Sequence, residues 1–509
     1  MPITMKSPTP FSATPTPIAG LYVLHLDVRP DNRGWFKENW QREKIAAIPE
    51  LSQACREFRP VQNNISFNAQ PGVTRGLHAE PWNKFVTIAQ GEVFGVWCDL
   101  RADSPTFGKV FSTRITTEQA VFVPRGVANG FQALESSIYT YLVDAHWSPQ
   151  AHYSHVNLAD PALGICWPIP LDKAEISAAD RTHPLLADAT AVPPGKILIT
   201  GADGQVGRAL ATQFPDATLC NHSDFDLTAD YQALEDAVNW DEYAVIINAA
   251  AYTVVDHAEM DRARCWAVNA AGPAKLARLA TNHDLTVVHF STDYVFSGDA
   301  PGDQDETTPI APSNFYGASK AAGDAAIALT TKHYIVRTSW VVGDGKNFVT
   351  TMVRLAQSGA HPAVVNDQVG RLTFSTDIAQ ATAHLLAGEH PYGVYGFSNS
   401  GQPQSWAQIA RRVFEIVQVD PNHVTECSTE EYTARVSAQA STASPTPTAP
   451  ATAAVPTPVL AVRPKNSCLS LAKIEATGFI PPLWEARLEE YVRNLVAPDP
   501  SSFNSEEAE

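Results

Sequence analysis

The stretch KILITGADGQVGRAL, residues 196–210, joins an apolar strand pattern to three glycines, Gly201, Gly204 and Gly207. Glycine permits a tight turn after the strand, and the helical pattern that follows has N-terminal N–H groups that attract phosphate. The stretch therefore predicts the start of an α/β doubly wound domain that binds a dinucleotide. Nearly two hundred residues precede it, which indicates a further domain on its N-terminal side.

The strand patterns differ on the two sides of this stretch. Residues 18–185 contain many short strand patterns separated by Gly, Pro and Asp turns, which predicts a β-sandwich or a jelly roll. Of the two we expect a cupin-like β jelly roll. In residues 196–500 strands alternate with helices, which predicts a Rossmann domain with a small substrate-binding lobe. Residues 186–195 contain the sequence AVPPG and are predicted to form the linker.

Three further segments have compositions that predict little ordered structure. Residues 1–17 are rich in Pro and Thr, and we expect them to form a flexible tail, as we do residues 501–509. Residues 434–458 are rich in Ala, Thr and Pro and bury little apolar area, so we predict a disordered surface insertion.

The bulk composition excludes several classes of protein. With 54 acidic and 36 basic residues, the net charge of −18 argues against a general nucleic-acid or membrane-surface binder. The seven cysteines contain no C-x-x-C pair, which argues against a metal cluster or a disulfide framework and for a reducing, cytoplasmic compartment. No apolar run approaches the ~18 residues of a membrane span.

The segment YGASK places Tyr316 and Lys320 four residues apart, on one face of a predicted helix. A neighbouring ammonium lowers the pKa of a phenol, so Tyr316 could donate a proton to a ketone oxygen near neutral pH. Lys320 could also hold the ribose of a nicotinamide cofactor. Thr292 ends a predicted strand in the STDYVF segment and could hydrogen-bond the same substrate oxygen. The pattern predicts a dinucleotide-dependent ketone reductase.

Residues 196–500 resemble the dTDP-4-dehydrorhamnose reductases, a family of extended short-chain dehydrogenases. The motifs that carry the resemblance are GADGQVG, NAAAYTVVDHAE, HFSTDYVFSG, NFYGASKAAGD, RTSWV, NDQVGRLT and RPKNS. The resemblance implies sugar contacts from Thr292, Asp293 and Trp340. The sequence departs from the family pattern at Leu372, where the family has proline. The turn and the two following strand ends complete the predicted cofactor site: Gly201, Gly204, Gln205, Val206, Gly207, Asp226, Leu227, Ala249, Ala250, Ala251, Tyr316 and Lys320.

The end of the second strand of this domain bears on the choice of cofactor. An acidic residue there would bind the ribose 2′-hydroxyl and favour NADH. The segment TLCNHSDFD instead has Asn221 and His222 at that point. We therefore expect NADPH to be accepted, with NADH as an alternative, and the sequence does not indicate a need for Mg²⁺.

The N-terminal domain contains a histidine in GVTRGLHAEPWNKFV that could act on protons. A cupin metal site would need a second histidine downstream, but the GVANGF segment has Asn129, so no metal is expected. A His78 imidazole oriented by Asp180 would make a base, and Tyr141 on the other side of a ring could return a proton. Lys84 could stabilise an enolate oxygen. This set predicts epimerisation beside a ketone.

Residues 18–185 resemble the dTDP-4-dehydrorhamnose 3,5-epimerases, through motifs such as DNRGWFKE, VQNNIS, GVTRGLH and YLVDAHWSPQ. The resemblance implies that His78 is the base, Asp180 its partner and Tyr141 the acid, in a homodimer formed through the jelly roll. It departs from the family at Asn129, at Ala179 and in a shorter loop after His78. It also implies nucleotide-sugar contacts from Arg33, Glu38, Gln62, Asn64, Arg75 and Lys84.

Together the two halves predict a fusion of consecutive enzymes. The first would invert C3 and C5 of a dTDP-4-keto-6-deoxy sugar, and the second would reduce C4 to give dTDP-L-rhamnose. Two alternatives stay open on the sequence. The chain could act on another 4-keto sugar nucleotide or invert a single centre. Alternatively, its N-terminal half could be a non-catalytic scaffold that dimerises or binds nucleotide, as Asn129 and Ala179 would allow.

Overall fold

The computed structural model describes residues 11–147, 151, 153–388, 390–442 and 460–496. The chain divides between Gly195 and Lys196 into two compact units, each with its own hydrophobic core. Among the described residues, no helix is long and apolar enough to cross a lipid bilayer.

The first unit is built mainly from short strands, as the turn-rich sequence predicts. Its strands are β1 (Ser12–Pro15), β2 (Tyr22–His25), β3 (Val28–Asp31), β4 (Gly34–Lys37), β5 (Gln62–Asn68), β6 (Val73–Ala79), β7 (Lys84–Gln90), β8 (Val93–Asp99), β9 (Val110–Ile115), β10 (Gln119–Val123), β11 (Val127–Ala133), β12 (Ser137–Val143), β13 (Ser154–His155) and β14 (Glu175–Ile176). Its short helices are α1 (Arg42–Ala46), α2 (Gln53–Arg56) and α3 (Ala178–Arg181).

Two sheets enclose the core of this unit. One has the order β1-β2-β10-β7-β12-β5, and the other has the order β13-β6-β11-β8-β9 with β14 alongside β6. Alternate side chains of both sheets point inward, because successive residues of a strand face opposite ways. Val86 and Val121 of the first sheet pack with Trp97 and Phe131 of the second in one buried cluster. A separate hairpin, β3–β4, is tied to this unit by the Lys37 ammonium, which donates to the Ile88 and Thr117 carbonyls.

Two segments that we expected to be loose are ordered. In the predicted tail 1–17, β1 pairs with β2, and Phe11 is buried in a cluster with Leu24. Residues 1–10 of that tail lie outside the described residues. In the predicted linker 186–195, Val192 is buried and its N–H donates to the Leu100 carbonyl. Both predictions relied on composition, which does not reveal a single apolar side chain that anchors a proline-rich segment.

In the second unit strands alternate with helices. Its strands are β15 (Lys196–Thr200), β16 (Thr218–Cys220), β17 (Tyr243–Asn248), β18 (Thr286–Thr292), β19 (His333–Thr338), β20 (Val341–Val342), β21 (Ala363–Val365), β22 (Val369–Gly370), β23 (Thr373–Phe374), β24 (Gly393–Phe397), β25 (Gln404–Ser405) and β26 (Thr425–Cys427). Its helices are α4 (Gln205–Gln213), α5 (Tyr231–Glu235), α6 (Arg262–Trp266), α7 (Gly272–Asn282), α8 (Phe315–Ile327), α9 (Phe348–Gln357), α10 (Ser375–Ala387), α11 (Trp406–Ile416), α12 (Thr429–Thr442), α13 (Ala472–Glu475) and α14 (Trp484–Val496).

A parallel sheet with the order β16-β15-β17-β18-β19-β24 forms the centre of this unit. The chain continues from β15 to β16 on one side and then to β17 on the other, so the strand order reverses beside β15. Ligands bind at the carboxyl ends of the strands at such a point. A second apolar cluster packs α9, α11 and α14 together through residues such as Met352, Phe414 and Leu488.

The predicted disordered insertion at residues 434–458 begins inside a helix. Residues 434–442 continue α12, which starts at Thr429. The Thr429 hydroxyl donates to Asp367 Oδ1 at 2.6 Å and accepts from Gln368 Nε2 at 3.0 Å. The expectation of disorder is therefore wrong for residues 434–442, where alanine-rich sequence extends a capped helix. Residues 443–458 and the predicted tail 501–509 lie outside the described residues.

Candidate active sites

His78 lies on β6, and a buried carboxylate holds its ring. The distance from His78 Nε2 to Asp180 Oδ1 is 2.8 Å. Because a carboxylate only accepts hydrogen bonds, Nε2 carries the proton and Nδ1 is left as the basic nitrogen. Asp180 is fixed in turn by the Ser177 hydroxyl, which accepts its N–H, and by the Gly76 N–H, which donates to Oδ2 at 3.4 Å. The fold thus joins the predicted base to its predicted partner.

The surrounding pKa shifts suit proton transfer. Burial opposes ionisation of Asp180, but the hydrogen bond and charge of His78 lower the pKa of the carboxyl below its usual range. Tyr141 lines the same cavity, which has a volume of about 530 Å³. Burial and the charge of Glu80 raise the pKa of Tyr141, against the opposing charge of Arg75. Tyr141 therefore keeps its proton at neutral pH, as a general acid must.

Lys84 and Asn129 belong to one buried polar network in this cavity. The Lys84 ammonium is paired with Glu80, lies 5.6 Å from the centre of the Tyr141 ring, and donates to Asn129 Oδ1 at 3.5 Å. Asn129 Nδ2 donates to the Tyr139 hydroxyl at 2.9 Å. Asn129, which replaces a family histidine, is therefore hydrogen-bonded through both its amide oxygen and its amide nitrogen. It accepts one hydrogen bond and donates another, as a neutral imidazole can with its two nitrogens.

The predicted sugar-nucleotide contacts fall into two groups. Arg75 and Lys84 line the His78 cavity, and Gln62 and Asn64 line an adjoining cavity of about 340 Å³ that His78 also borders.

Arg33 and Glu38 lie elsewhere. Arg33 follows β3, has a side chain that is 85% exposed, and is paired with Asp31. Glu38 follows β4 and is paired with Lys44. Neither lines the cavities beside His78. β3 and β4 form a two-stranded sheet separate from the two large sheets, and the assignment of Arg33 and Glu38 as nucleotide-sugar contacts stays a prediction.

Two further histidines lie beside His78. The ring centres of His155 and His183 are 5.3 and 5.4 Å from that of His78, and 4.5 Å from each other. Burial and the neighbouring imidazoles lower the pKa of both His155 and His183. The sequence did not predict either neighbour. His155 on β13 and His183 after α3 are far from His78 in the sequence, and only the folded structure brings them to β6.

In the second unit the glycine turn has the geometry that the sequence predicts. Gly201 has a φ of +69°, and a Cβ there would lie 2.5 Å from the Ala250 nitrogen. A Cβ on Gly207 would lie 2.1 Å from the Gly201 carbonyl oxygen. Only glycine fits at either position. Gly204 caps α4, and Gln205 and Val206 form its first turn, so their N–H groups face the point where phosphate would bind.

A cavity of about 580 Å³ opens at this turn. Its lining includes most of the predicted cofactor residues, namely Gly201, Gly204, Asp226, Leu227, Ala249, Ala250 and Ala251. Asn221 and His222 also line it. The small side chains of Ala249–Ala251 leave space for a ligand to lie against the backbone. At Gly201 and Gly207 any Cβ would collide with neighbouring backbone atoms, so the glycines keep the turn tight. The residues therefore fit a dinucleotide, whereas Tyr316 and Lys320 are not among the residues that line this cavity.

Tyr316 and Lys320 share α8, as predicted, but Lys320 does not act on the phenol as we expected. The Lys320 ammonium donates to the Phe290 carbonyl at 2.6 Å and lies 3.3 Å from His289 Nε2. Burial lowers the pKa of Lys320 to about 8. Burial and the charge of Asp293 raise the pKa of Tyr316, and Thr292 opposes them. The expected lowering of the Tyr316 pKa by Lys320 is therefore wrong for this structure, in which the phenol stays protonated.

The predicted sugar contacts of this unit lie at the ends of β18 and β19. Thr292 donates to Asp293 Oδ1 at 3.1 Å, and burial raises the pKa of Asp293 to about 7. Trp340 has a φ of +47° and stacks on Trp406 with ring centres 3.7 Å apart. Leu372, where the family has proline, is completely buried in the cluster of α9, α11 and α14. It fills the core and is not exposed to a ligand.

Sequence reasoning also missed a buried polar chain behind Lys320. The Asn248 amide lies between Thr200, which donates to its Oδ1 at 2.8 Å, and His289 Nδ1, which is 3.0 Å from its Nδ2. Nε2 of the same imidazole faces Lys320. This series of polar contacts links β15, β17 and β18 to α8, the helix that carries Tyr316 and Lys320. In the sequence, only the histidine of HFSTDYVF pointed to it.

Comparisons with known proteins match both units of the chain. The family model described as dTDP-4-dehydrorhamnose 3,5-epimerase matches residues 15–188, and the RmlD substrate binding domain model matches residues 195–497. The chain is 49% identical over 181 residues to "Protein RmlC homolog" of Streptococcus pyogenes serotype M6, covering 35% of this chain and 90% of that protein. It is 38% identical over 308 residues to the dTDP-4-dehydrorhamnose reductase of Aggregatibacter actinomycetemcomitans, covering 58% of this chain and 97% of that protein.

Two solved structures resemble the second unit. The dTDP-4-dehydrorhamnose reductase of Clostridium acetobutylicum is 34% identical, with a TM-score of 0.52, over 59% of this chain and 100% of that one. The Bacillus anthracis reductase in complex with NADP is 32% identical, with a TM-score of 0.51, over 59% and 99%. The chain therefore belongs to the dTDP-4-dehydrorhamnose 3,5-epimerase family through its first unit and to the RmlD reductase family through its second.

Proposed function

We propose that the chain is a bifunctional enzyme that epimerises dTDP-4-dehydro-6-deoxy-D-glucose at C3 and C5 and then reduces C4, giving dTDP-L-rhamnose. One observation carries the proposal: the His78 ring, held by Asp180, and Tyr141 line one cavity in the same chain that has Tyr316 and Lys320 on α8. We infer that the two antiparallel sheets form a jelly roll and that the parallel sheet is a Rossmann fold.

The epimerase site would use one chemistry twice. C3 and C5 both flank the C4 carbonyl, so the hydrogens on both carbons are acidic. His78 Nδ1 takes a proton while Asp180 stabilises the imidazolium that forms. The Lys84 ammonium stabilises the enolate oxygen. Tyr141, which is protonated at neutral pH because its pKa is raised, delivers a proton to the opposite face and completes the inversion.

The reductase site would act on the epimerised ketone. A nicotinamide cofactor supplies a hydride when bound, and the glycine turn and Ala249–Ala251 would hold it. Tyr316 donates the proton that the C4 oxygen needs, and Thr292 orients that oxygen. Asp293 and Trp340 position the sugar. We propose NADPH as the preferred cofactor because neither Asn221 nor His222 offers a carboxylate to a ribose 2′-hydroxyl.

Two full-length variants test the pair of activities together. With the 4-keto sugar and NADPH, His78→Ala should make no rhamnose because epimerisation stops. Tyr316→Phe should lose about 10²–10⁴-fold in kcat for reduction, since it lacks the proton donor. Chromatography of the sugar nucleotides should show that an equal mixture of the two variants restores the product.

Tyr294→Phe is the matched control for the reductase variant. It removes a hydroxyl from the ring that packs edge-on against Tyr316, with ring centres 5.6 Å apart, and should keep reductase activity. A mixture of the two site variants that remains inactive would contradict the proposal.

We also propose a homodimer formed through the first unit. β5 is the edge of its sheet, and alternate residues on one face are exposed, Ile65 by 69% and Phe67 by 63%. Phe36 on the hairpin is 67% exposed. A second copy that covers this face would bury these side chains and give exposed Arg33 and Glu38 a substrate to contact.

Sedimentation measurements test the dimer. Phe67→Glu should shift the wild-type dimer to monomer, because the charge would be buried at the contact. Leu329→Glu, at a residue that is 86% exposed in the second unit, should not. A monomeric wild-type protein would contradict this proposal.

We infer a reducing, cytoplasmic compartment from the cysteines. All seven are free, and six of them are buried. Burial raises the pKa of Cys55 and Cys98, so these thiols are inert.

A further inference from the structure

We propose that His78, His155 and His183 form a binding site for a divalent transition metal, Zn²⁺ in particular, and that occupancy of this site switches off the epimerase. The switching role rests on the proposed epimerase function, whereas the metal site itself does not. Three imidazoles are a ligand set that suits zinc, copper and nickel. Three histidines with an open fourth position are also a known arrangement for zinc.

The geometry of the cluster is the first support. One ring nitrogen from each histidine lies within 4.8 Å of the other two. Zinc–nitrogen bonds of about 2.0–2.1 Å in a tetrahedral site need nitrogens about 3.3 Å apart. The nitrogens of the widest pair must therefore approach by up to roughly 1.5 Å, and we propose that rotation about the side-chain torsions of the three histidines brings them together.

The surroundings of the cluster are the second support. His183 Nδ1 is buried and has no hydrogen-bond partner among the described residues, so a polar atom is left for a ligand. Asp180 Oδ1 lies 2.8 Å from His78 Nε2 and 3.8 Å from His183 Nε2. A carboxylate behind metal-binding histidines fixes their tautomers and strengthens their other nitrogen as a ligand. Asp180 does this for His78, whereas His183 Nε2 lies beyond hydrogen-bond distance of the same oxygen.

Metal binding and catalysis would compete for the His78 imidazole. Coordination through Nδ1 would occupy the lone pair that serves as the base, and coordination through Nε2 would place the ring proton on Nδ1. In either case His78 could not accept a proton from C3 or C5. Zinc would therefore stop epimerisation. It would leave the second unit active, because Tyr316 and Lys320 contribute nothing to the site.

The test measures metal binding and proton exchange separately on the full-length protein. Co²⁺ added to the metal-free protein should give the visible absorption of a four-coordinate site with one ion per chain. Zn²⁺ should displace it and should stop exchange of the C3 and C5 hydrogens with deuterated water, and a chelator should restore the exchange.

The key variant is His155→Phe, which keeps an aromatic ring and leaves His78 and Asp180 intact. Because His155 borders the cavity lined by Gln62 and Asn64, zinc inhibition is measured against the variant's own metal-free exchange rate. The variant should lose the Co²⁺ absorption and need at least ~10-fold more Zn²⁺ for half-inhibition, a change of about 1.4 kcal/mol in binding. His155→Gln should behave alike if phenylalanine disturbs β13.

Two controls complete the experiment. His25→Gln removes an exposed histidine on β2 and should leave zinc inhibition unchanged. Reduction of pre-epimerised substrate should be insensitive to the same zinc concentration. The metal site is refuted if His155→Phe and His155→Gln keep the wild-type response, or if wild-type protein binds no Co²⁺. Absence of exchange in metal-free wild-type protein would instead refute the epimerase function, while the Co²⁺ absorption would still report on the site.

Discussion

At the scale of single residues, His78 and Tyr141 have different tasks and should fail in different ways. His78→Ala removes the base, so exchange of the C3 and C5 hydrogens with deuterated water should cease. Tyr141→Phe removes only the acid, so deuterium should still enter with retained configuration while inversion slows by about 10²–10⁴-fold. Nuclear magnetic resonance of the sugar distinguishes the two outcomes.

Tyr139→Phe is the neighbouring control for Tyr141. The Tyr139 hydroxyl accepts a hydrogen bond from Asn129, and its loss should change exchange far less than that of Tyr141. Equal loss of exchange in Tyr141→Phe and His78→Ala would show that the assignment of acid and base is wrong.

Asp293 makes stability depend on pH at the same scale. Burial raises its pKa from 3.8 to about 7 in the folded protein. Between about pH 4 and 7 the folded state therefore binds more protons than the unfolded state, and the stability of the second unit falls as pH rises through this range. Asp293→Asn should remove this contribution.

Thermal unfolding of the wild-type protein and of Asp293→Asn at pH 5 and pH 8 checks this. From pH 5 to pH 8 the melting temperature of the wild-type protein should fall relative to that of Asp293→Asn. A difference that stays the same at both pH values would contradict the burial of this carboxyl.

At the scale of elements, local pattern predicted most of the second unit. KILIT coincides with β15, and the strand predicted to end at Thr292 is β18, because apolar runs bounded by turns form buried strands. The pairing of His78 with Asp180 followed from a family resemblance, not from spacing. The positions of His155, His183 and the Lys320 amine depend on which elements become neighbours, and a single sequence does not determine those distances.

The start of α12 can be tested as an element. Thr429→Ala removes two side-chain hydrogen bonds to the segment that contains Asp367 and Gln368. We expect a loss of about 1–2 kcal/mol in the free energy of unfolding. Thr433→Ala should cost less, because its hydroxyl donates only to the Thr429 carbonyl one turn earlier. Denaturant titration measures both, and equal losses would show that the Thr429 contacts contribute little.

At the scale of the whole molecule, two separate cores predict two unfolding transitions in calorimetry. NADPH should raise the melting temperature of only one transition, because it stabilises the unit that binds it by up to ~2.7 kcal/mol at a hundred times its dissociation constant. The melting temperature of the other transition should stay the same. A ligand shift in both transitions, or in neither, would contradict binding confined to the second unit.

Asn221→Asp extends this test to cofactor choice. The new carboxylate keeps the acceptor oxygen that holds the Ser223 N–H at 2.7 Å. It would repel a 2′-phosphate and bind a 2′-hydroxyl, so the variant should be stabilised more by NADH than by NADPH. A wild-type protein that already prefers NADH would remove the basis of the NADPH proposal.

The ends of the Ala/Thr/Pro-rich stretch have a practical consequence for engineering. Tyr432 and Val436 of α12 and Leu460, where the described chain resumes, line one cavity of about 630 Å³. Lengthening a chain segment whose two ends are held together costs little, since each doubling of a flexible loop adds only about 0.6 kcal/mol. We therefore expect a fluorescent reporter or an affinity tag inserted between residues 443 and 459 to leave the melting temperature of the protein nearly unchanged.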